Sequence, residues 1–371
     1  MQLFSTEYQR LNWGGYEPLN IILPVGISFY TFSAISYVVD TYQKKLEPTT
    51  DFAAAMLYTS FFPAILSGPI HKATEQIPQY LKKRFFSFEQ ALDGFKLFVW
   101  GAFIKLCVAD RIGMYVDAVY GNISHHNGTS LLMAAVFYSI QIYADFAGYS
   151  NMAIGCGKLL GIRLQNNFNR PYFAKTITDF WSRWHISLTS WFKNYVYIPL
   201  GGNRVNRWRW MLNIMIVFLL SGLWHGAAYG FLIWGGMHGL IQIVEKLFYG
   251  TSIKNVNNSV SLHNIVRIPL TFVLVTIAWI FFRLPASEAV DVVCKIFTSP
   301  GMPFLDMHTL MFFAVSFMIM FVKDIINEWM PLLSQKANKL IWFNVLESVA
   351  LVAFTLLVGN LDSEAFIYFQ F

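Results

Sequence analysis

The sequence carries little charge for its length. Of its 371 residues only 13% are Asp, Glu, Lys or Arg, whereas charged residues make up about a quarter of an ordinary soluble domain. Cysteine is scarce as well: Cys107, Cys156 and Cys294 show none of the paired spacings of a zinc site, a redox motif or a disulfide framework. These absences argue against a soluble enzyme and against a scaffold held by metal or disulfides.

Apolar residues are abundant instead. They make up 56% of the chain, aromatic residues make up 18%, and the mean hydropathy is +0.46. Runs of about 20 apolar residues, the length that a helix needs to cross a bilayer, recur throughout. We predict spans near 21–40, 93–115, 131–158, 211–225, 230–247, 266–283, 305–322 and 341–359, plus a shorter buried segment near 52–68. Because backbone groups in lipid must pair internally, the expected fold is all-α: a polytopic helical protein with about eight to ten spans.

The basic residues predict how the chain crosses the membrane. Lys and Arg gather in 42–90, 159–209, 246–267 and 323–340, whereas 116–130 and 360–371 contain none. The positive-inside rule places the basic segments in the cytoplasm. The net charge of +6 then reflects orientation, and we expect no nucleic-acid partner. Cytoplasmic and extracytoplasmic loops alternate consistently only if 52–68 and 172–200 do not cross the membrane, so both segments are expected to be re-entrant or interfacial.

The stretch WSRWHISLTSWFKNYVYIPL (181–200) has the pattern of an amphipathic interfacial helix. Aromatic and aliphatic residues share one face, and polar residues share the other. The members are Trp181, Trp184, Leu188, Trp191 and Tyr195 on the first face, and Arg183, Ser187, Ser190 and Asn194 on the second. We predict one helix that ends at Pro199 and Gly201-Gly202. His185 lies toward the apolar face and is expected to point into protein or membrane.

Histidine suits proton transfer near neutral pH, and ionisable groups at membrane depth are functional candidates. His225 ranks first because it lies among small residues in GLWHGAA, and His185 and His238 follow. A packing role is the commoner fate of a lone histidine, so the residue pattern alone leaves both interpretations open. The remaining histidines are interpreted as solvated residues in loops or at span ends: His71, His125, His126, His263 and His308.

Two further ionisable residues lie within predicted spans. Asp145 needs a partner or a proton if it is buried. We expect a structural network, with Arg183 or Arg170 as candidate partners, while a polar pathway is the alternative. For Lys105 we expect the side chain to extend along its own stem to the cytoplasmic surface.

Several long motifs together resemble the membrane-bound O-acyltransferase (MBOAT) family. DFWSRWHISLTSWFKNYVYIPLGGNR (179–204) and SGLWHGAAYGFLIWGGMHGL (221–240) are similar to its signature pair, and YIPLGGNR is similar to the bacterial alginate O-acetyltransferase branch. LPVGISFYTFSAISYVVDTY (23–42), SFFPAILSGPI (60–70), QIYADFAGYSNMAIG (141–155) and the ending FIYFQF (366–371) agree. The resemblance implies a single domain over 1–371. Relatives of this branch have further spans before the LPVGISF-like stretch, and this sequence is expected to lack them.

The resemblance also implies a function. It implies a multi-pass enzyme of the inner (cytoplasmic) membrane that moves an acetyl group from a cytoplasmic donor to an extracytoplasmic polysaccharide. His225 would be catalytic, His185 would be its partner, and no metal or bound cofactor would be needed. The donor would be acetyl-CoA or another acyl thioester, and an extracytoplasmic acetyltransferase would act as protein partner. The alternatives are a D-alanyl-transferring relative fed by an acyl carrier protein, and a membrane transporter, although the internal symmetry typical of transporters is not evident.

Overall fold

The computed structural model describes residues 26–66, 68–249, 262–338 and 340–361, which form helices and no strand. The ending FIYFQF and the start of the first predicted span, at 21–25, lie outside the described residues. The helical fold predicted from the sequence is therefore confirmed for the part of the chain that the structure describes.

The α-helices follow one another closely along the chain. They are α1 (Ile27–Tyr42), α2 (Phe52–Ser60), α3 (Phe62–Ile65), α4 (Ala73–Leu81), α5 (Phe88–Phe103), α6 (Asp110–Tyr120), α7 (Gly128–Leu159), α8 (Ile177–Arg183), α9 (Ile186–Phe192), α10 (Arg207–His225), α11 (Tyr229–Tyr249), α12 (Leu262–Arg283), α13 (Ala286–Thr298), α14 (Met307–Trp329), α15 (Pro331–Asn338) and α16 (Ile341–Val358). A π-helical turn at Ile104–Ala109 joins α5 to α6, and a second at Lys193–Tyr197 follows α9.

Four of the described helices are long and apolar enough to cross a bilayer: α7, the 266–283 part of α12, α14 and α16. Each coincides with a predicted span. α10 and α11 also coincide with predicted spans but fall short of this combined length and apolarity. The total of eight to ten spans stays a prediction.

The longest helix, α7, lies at the centre of the fold against α5. Glycine permits this close packing because a β-carbon on Gly101 would lie 2.5 Å from the carbonyl oxygen of Gly148, and one on Gly148 would lie 2.8 Å from that of Gly101. Gly94 and Gly155 meet in the same reciprocal way, seven residues away on each helix. The two backbones thus touch along their crossing, as small residues allow in membrane bundles.

α10 and α11 form a hairpin, as expected if the chain turns back after Gly226. α10 ends at His225, and α11 begins at Tyr229. Gly222 of α10 approaches the carbonyl group of Phe231 on α11, and Gly235 of α11 approaches that of Phe218. This packing carries α11 back along α10.

The structural network expected for Asp145 is confirmed, but its expected arginine partners and the expected direction of Lys105 are wrong. Lys105 does not extend to the surface: its Nζ lies 2.5 Å from Oδ1 of Asp145 and 2.6 Å from Oδ1 of Asp110. On an ideal α-helix, residues five apart point about 140° away from each other. The π-turn at Ile104–Ala109 brings Lys105 and Asp110 to one face. Asp145 thus pairs with Lys105, whereas Arg170 and Arg183 bind Glu328.

Candidate active site

The 181–200 stretch is not the single helix that its pattern predicts. α8 ends at Arg183, Trp184 is extended, and His185 adopts a left-handed conformation with φ 42° before α9 begins. Such a conformation costs a non-glycine residue about 1–2 kcal/mol. The amphipathic pattern predicts a continuous helix here, but the helix is broken at His185, the residue that the sequence analysis selected as a candidate.

The neighbouring segment 167–169 stabilises this break. The carbonyl oxygen of Asn167 accepts the backbone N–H of Ile186 at 2.9 Å, and the N–H of Asn169 donates to the carbonyl oxygen of Arg183 at 2.9 Å. The side chain of Asn167 accepts from the Ser187 hydroxyl at 2.6 Å. These bonds take up backbone groups that an unbroken helix would pair internally.

His185 points into the protein, as predicted. Its side chain is 1% exposed and packs against Phe146 and Phe29, with ring centroids 4.7 and 6.5 Å away. Neither ring nitrogen has a hydrogen-bond partner within the described ranges. A buried polar group without a partner is costly, so both ring nitrogens of His185 are candidates to bind a substrate.

His225 is the last residue of α10 and is half-buried. Its ring lies within an aromatic cage, 4.9 Å from the centroid of Phe282 and 5.3 Å from that of Trp234. Phe231 completes the cage at 6.1 Å. The start of α11 and the end of α12 thus build the surroundings of His225 at the end of α10.

One tryptophan connects the two predicted site residues. The ring centroid of Trp224 lies 4.7 Å from that of His225 and 6.4 Å from that of His185. Phe29 of α1 contacts both Trp224 and His185. The structure therefore brings into one aromatic cluster two histidines that lie 40 positions apart in the sequence.

His238 lies deeper in the α10–α11 hairpin and is fully buried. Its Nδ1 accepts the indole N–H of Trp181 at 3.3 Å. Trp234 separates it from His225, with centroid distances of 5.3 Å to each ring. His238 therefore does not join the cluster around Trp224.

A cavity of about 770 Å³ opens beside this cluster. Its exposed lining includes Ser182, Lys193 and Asn203, while its buried lining includes Phe218 and Ser221. The residues that α10 contributes form one stripe on that helix: Trp210, Ile214, Val217, Phe218 and Ser221. His225 is the next residue of the stripe, one turn beyond Ser221.

The cavity lining is basic. Lys175, Arg183, Lys193 and Lys246 line it together with one carboxylate, Asp179, whose Oδ1 accepts from Nε of Arg183 at 2.9 Å. All four cations lie in segments whose loop charge predicts a cytoplasmic location. The sequence analysis did not identify this cavity, because its lining comes from α8, α9, α10 and α11 and has no common spacing.

The interpretation of His71 as solvated is wrong. It is 7% exposed, and its carbonyl oxygen accepts the Tyr58 hydroxyl at 2.9 Å. Burial lowers the pKa of its imidazole from 6.5 to about 4. His125 and His308 are exposed as expected, and His126 is half-exposed. The side chain of His263 lies outside the described residues.

These features define a class of protein: a helical membrane protein in which one aromatic cluster contains two histidines, and one of them lies a helical turn beyond the last α10 residue of a basic cavity. The model of the MBOAT, membrane-bound O-acyltransferase family matches residues 46–286, which include both histidines. The chain belongs to this family.

Three relatives illustrate the similarity. The probable alginate O-acetylase AlgI of Pseudomonas aeruginosa is 37% identical over 72% of this chain and 51% of its own length. The peptidoglycan O-acetyltransferase of Helicobacter pylori is 31% identical over 99% of this chain and 78% of its own length. The teichoic acid D-alanyltransferase of Bacillus subtilis is 30% identical over 63% of this chain and 61% of its own length. The chain thus spans about half the length of the AlgI proteins that it matches.

Proposed function

We propose that the chain is a membrane O-acyltransferase that moves an acetyl group from a cytoplasmic thioester donor to a hydroxyl of an extracytoplasmic polysaccharide. His225 is the catalytic base, and His185 is its partner. The observation that carries this proposal is the position of His225 on α10, one helical turn beyond Ser221, which is the last residue that α10 contributes to the basic cavity.

The cavity suits an elongated, anionic donor. On α10 the stripe runs from Trp210 to Ser221, a separation of eleven positions or about 16 Å at 1.5 Å per residue. Lysine and arginine at the lining attract phosphate groups, and the apolar inner wall accommodates an acyl arm. A donor of the acetyl-CoA type has this pattern, with phosphates at one end and a thioester at the other.

The chemistry follows from a neutral imidazole close to the thioester. His225 accepts the proton of the acceptor hydroxyl while the hydroxyl oxygen attacks the acyl carbon. The carbon–sulfur bond then breaks, and the thiolate leaves with the proton that the imidazole returns. Positioned proton transfer of this kind contributes about 10²- to 10⁴-fold to a rate. His185, buried and without a partner among the described residues, supplies a second ring beside Trp224 that can bind the acceptor hydroxyl or the acyl oxygen.

A reaction between a cytoplasmic donor and an extracytoplasmic acceptor requires a site that both sides of the membrane can reach. The cavity opens among residues predicted to be cytoplasmic, and the acceptor polymer lies on the other side of the membrane. We infer that the chain resides in the inner membrane and passes the acetyl group outward. An extracytoplasmic acetyltransferase acts as its partner and presents the polymer hydroxyl to the site.

D-alanyl transfer is the second candidate, supported by the similarity to the teichoic acid D-alanyltransferase of Bacillus subtilis. It requires the same site geometry but a different acyl group, delivered on a carrier protein. YIPLGGNR favours the acetyl reaction.

The test is a transfer assay on the full chain in proteoliposomes. Radiolabelled acetyl-CoA is supplied on the side of the 159–209 segment. Unacetylated alginate, unacetylated peptidoglycan or teichoic acid is supplied on the other side, together with a periplasmic extract as the source of the extracytoplasmic partner. We expect label in the polymer, and none from a D-alanyl thioester. Transfer from the D-alanyl donor alone would establish the second candidate, and transfer from neither donor to any of the three polymers would contradict both.

A further inference from the structure

Two polar contacts join α11 to the short helix α8. His238 Nδ1 accepts the Trp181 indole N–H at 3.3 Å. Seven residues further along α11, the Glu245 carboxylate accepts the backbone N–H groups of Ile177 and Thr178 at 2.6 and 3.0 Å. Residues seven apart lie on the same helix face, so one face of α11 holds both ends of α8.

α8 depends on such contacts for its position. It has only seven residues, and an isolated helix of this length does not persist in water. Thr176 caps the N–H of Asp179, and Glu245 accepts the N–H groups of Ile177 and Thr178, which this cap leaves without an acceptor. Two residues after α8 ends, the chain reaches His185 in its left-handed conformation. A shift of α8 therefore displaces His185.

The hydrogen bond defines the state of His238. An indole N–H can only donate, so Nδ1 of His238 must carry a lone pair, and the ring proton stands on Nε2. The side chain is fully buried, within van der Waals range of Trp234, which also contacts His225. His238 is thus a neutral acceptor that links α11, whose Trp234 contacts His225, to the segment that carries His185.

We propose that His238 and Glu245 are positioning residues: they fix α8 on α11 and thereby set His185 against Trp224 and His225. This inference rests on the proposed function. It assigns to His238 a role through Nδ1, separate from proton transfer and from binding of the donor.

Isosteric variants identify the nitrogen that matters. In His238→Asn the amide oxygen takes the place of Nδ1, whereas in His238→Gln the amide lies at the place of Nε2. A displacement of about 1 Å at a reacting group costs about 10²-fold in rate. We therefore expect His238→Ala and His238→Gln to lower kcat by about 10²-fold with little change in KM for acetyl-CoA. His238→Asn should retain most of the parental kcat. Rescue by Gln and not by Asn, or equal rates in all three variants, would overturn the proposal.

Hydrogen–deuterium exchange tests the same inference without activity. In His238→Ala and Glu245→Ala, amides of 177–192 should exchange faster than in the parental chain, while those of α7 and α14 keep their protection. His225→Ala serves as the control, with parental exchange in 177–192. Unchanged exchange in both variants, or faster exchange throughout the chain, would contradict a local positioning role.

The two arms separate this inference from the proposed function. If the parental chain transfers no acetyl group, the proposed function fails, and the exchange data alone decide whether His238 and Glu245 hold α8. If transfer occurs but exchange in 177–192 is unaffected, the positioning role fails and the proposed function stands.

Discussion

Removal of Lys105 should destabilise the fold more than removal of either of its partners. Lys105 is 13% exposed in its side chain and contacts Asp110 and Asp145, which are 10% and 2% exposed. Lys105→Met leaves two buried carboxylates without the cation that lies between them. Breaking one buried ion pair costs about 3–5 kcal/mol of folding free energy, and we expect this variant to lie at the upper end of that range. Asp145→Asn leaves Lys105 paired with Asp110, so we expect about 3 kcal/mol or less.

A surface pair between α5 and α7 provides the control. Lys158 and Asp93 are 3.8 Å apart and 35% and 54% exposed, so Lys158→Met should cost less than about 1 kcal/mol. The assay heats detergent-solubilised protein and measures by size-exclusion chromatography the fraction that stays monodisperse. We expect the midpoint temperature to decrease in the order parental, Lys158→Met, Asp145→Asn and Lys105→Met. Equal midpoints for the two lysine variants would refute this interpretation of the buried network.

Three further outcomes follow from the same structure. Gly101→Ala should lower the free energy of unfolding by about 1–3 kcal/mol because its β-carbon meets the α7 backbone. Gly236→Ala should be tolerated, since the atom nearest to its β-carbon is 4.0 Å away. Equal yields of folded protein from the two variants would contradict this. Lys193→Ala should raise KM for acetyl-CoA about fivefold, equivalent to about 1 kcal/mol, with a smaller effect at high salt, and an unchanged KM would remove the cavity lining from donor binding. In a Cys294→Ser background, which removes the exposed native thiol, an impermeant thiol reagent outside intact cells should label Ser124→Cys and not Arg204→Cys, and the reverse result would overturn the topology.

The sequence predicts well the features that depend on long apolar runs. The span predicted at 131–158 corresponds to α7 at Gly128–Leu159, and the pair at 211–225 and 230–247 corresponds to α10 and α11. Burial of His185 was predictable too, because its neighbours Trp181 and Trp184 belong to one apolar face. In each case a single element contains the whole signal.

Features that depend on contacts between distant segments were not predictable. The break at His185 is stabilised by backbone groups of residues 167–169, and a helical pattern cannot register their presence. Lys105 reaches Asp110 only through a π-turn, which has no sequence signature as plain as a proline or a glycine. The cavity and the link through Trp224 required the relative placement of several helices.

The central claim is that His225 performs the chemistry, and His225→Ala tests it most directly against a matched control. His308→Ala removes an exposed histidine far along the chain, on α14. Both variants are first shown to reach the membrane at parental amounts and to elute as folded protein, and transfer of radiolabelled acetyl groups to polymer is then measured. The account predicts no transfer by His225→Ala and parental transfer by His308→Ala. A folded, abundant His225→Ala protein that transfers acetyl groups at the parental rate would contradict it.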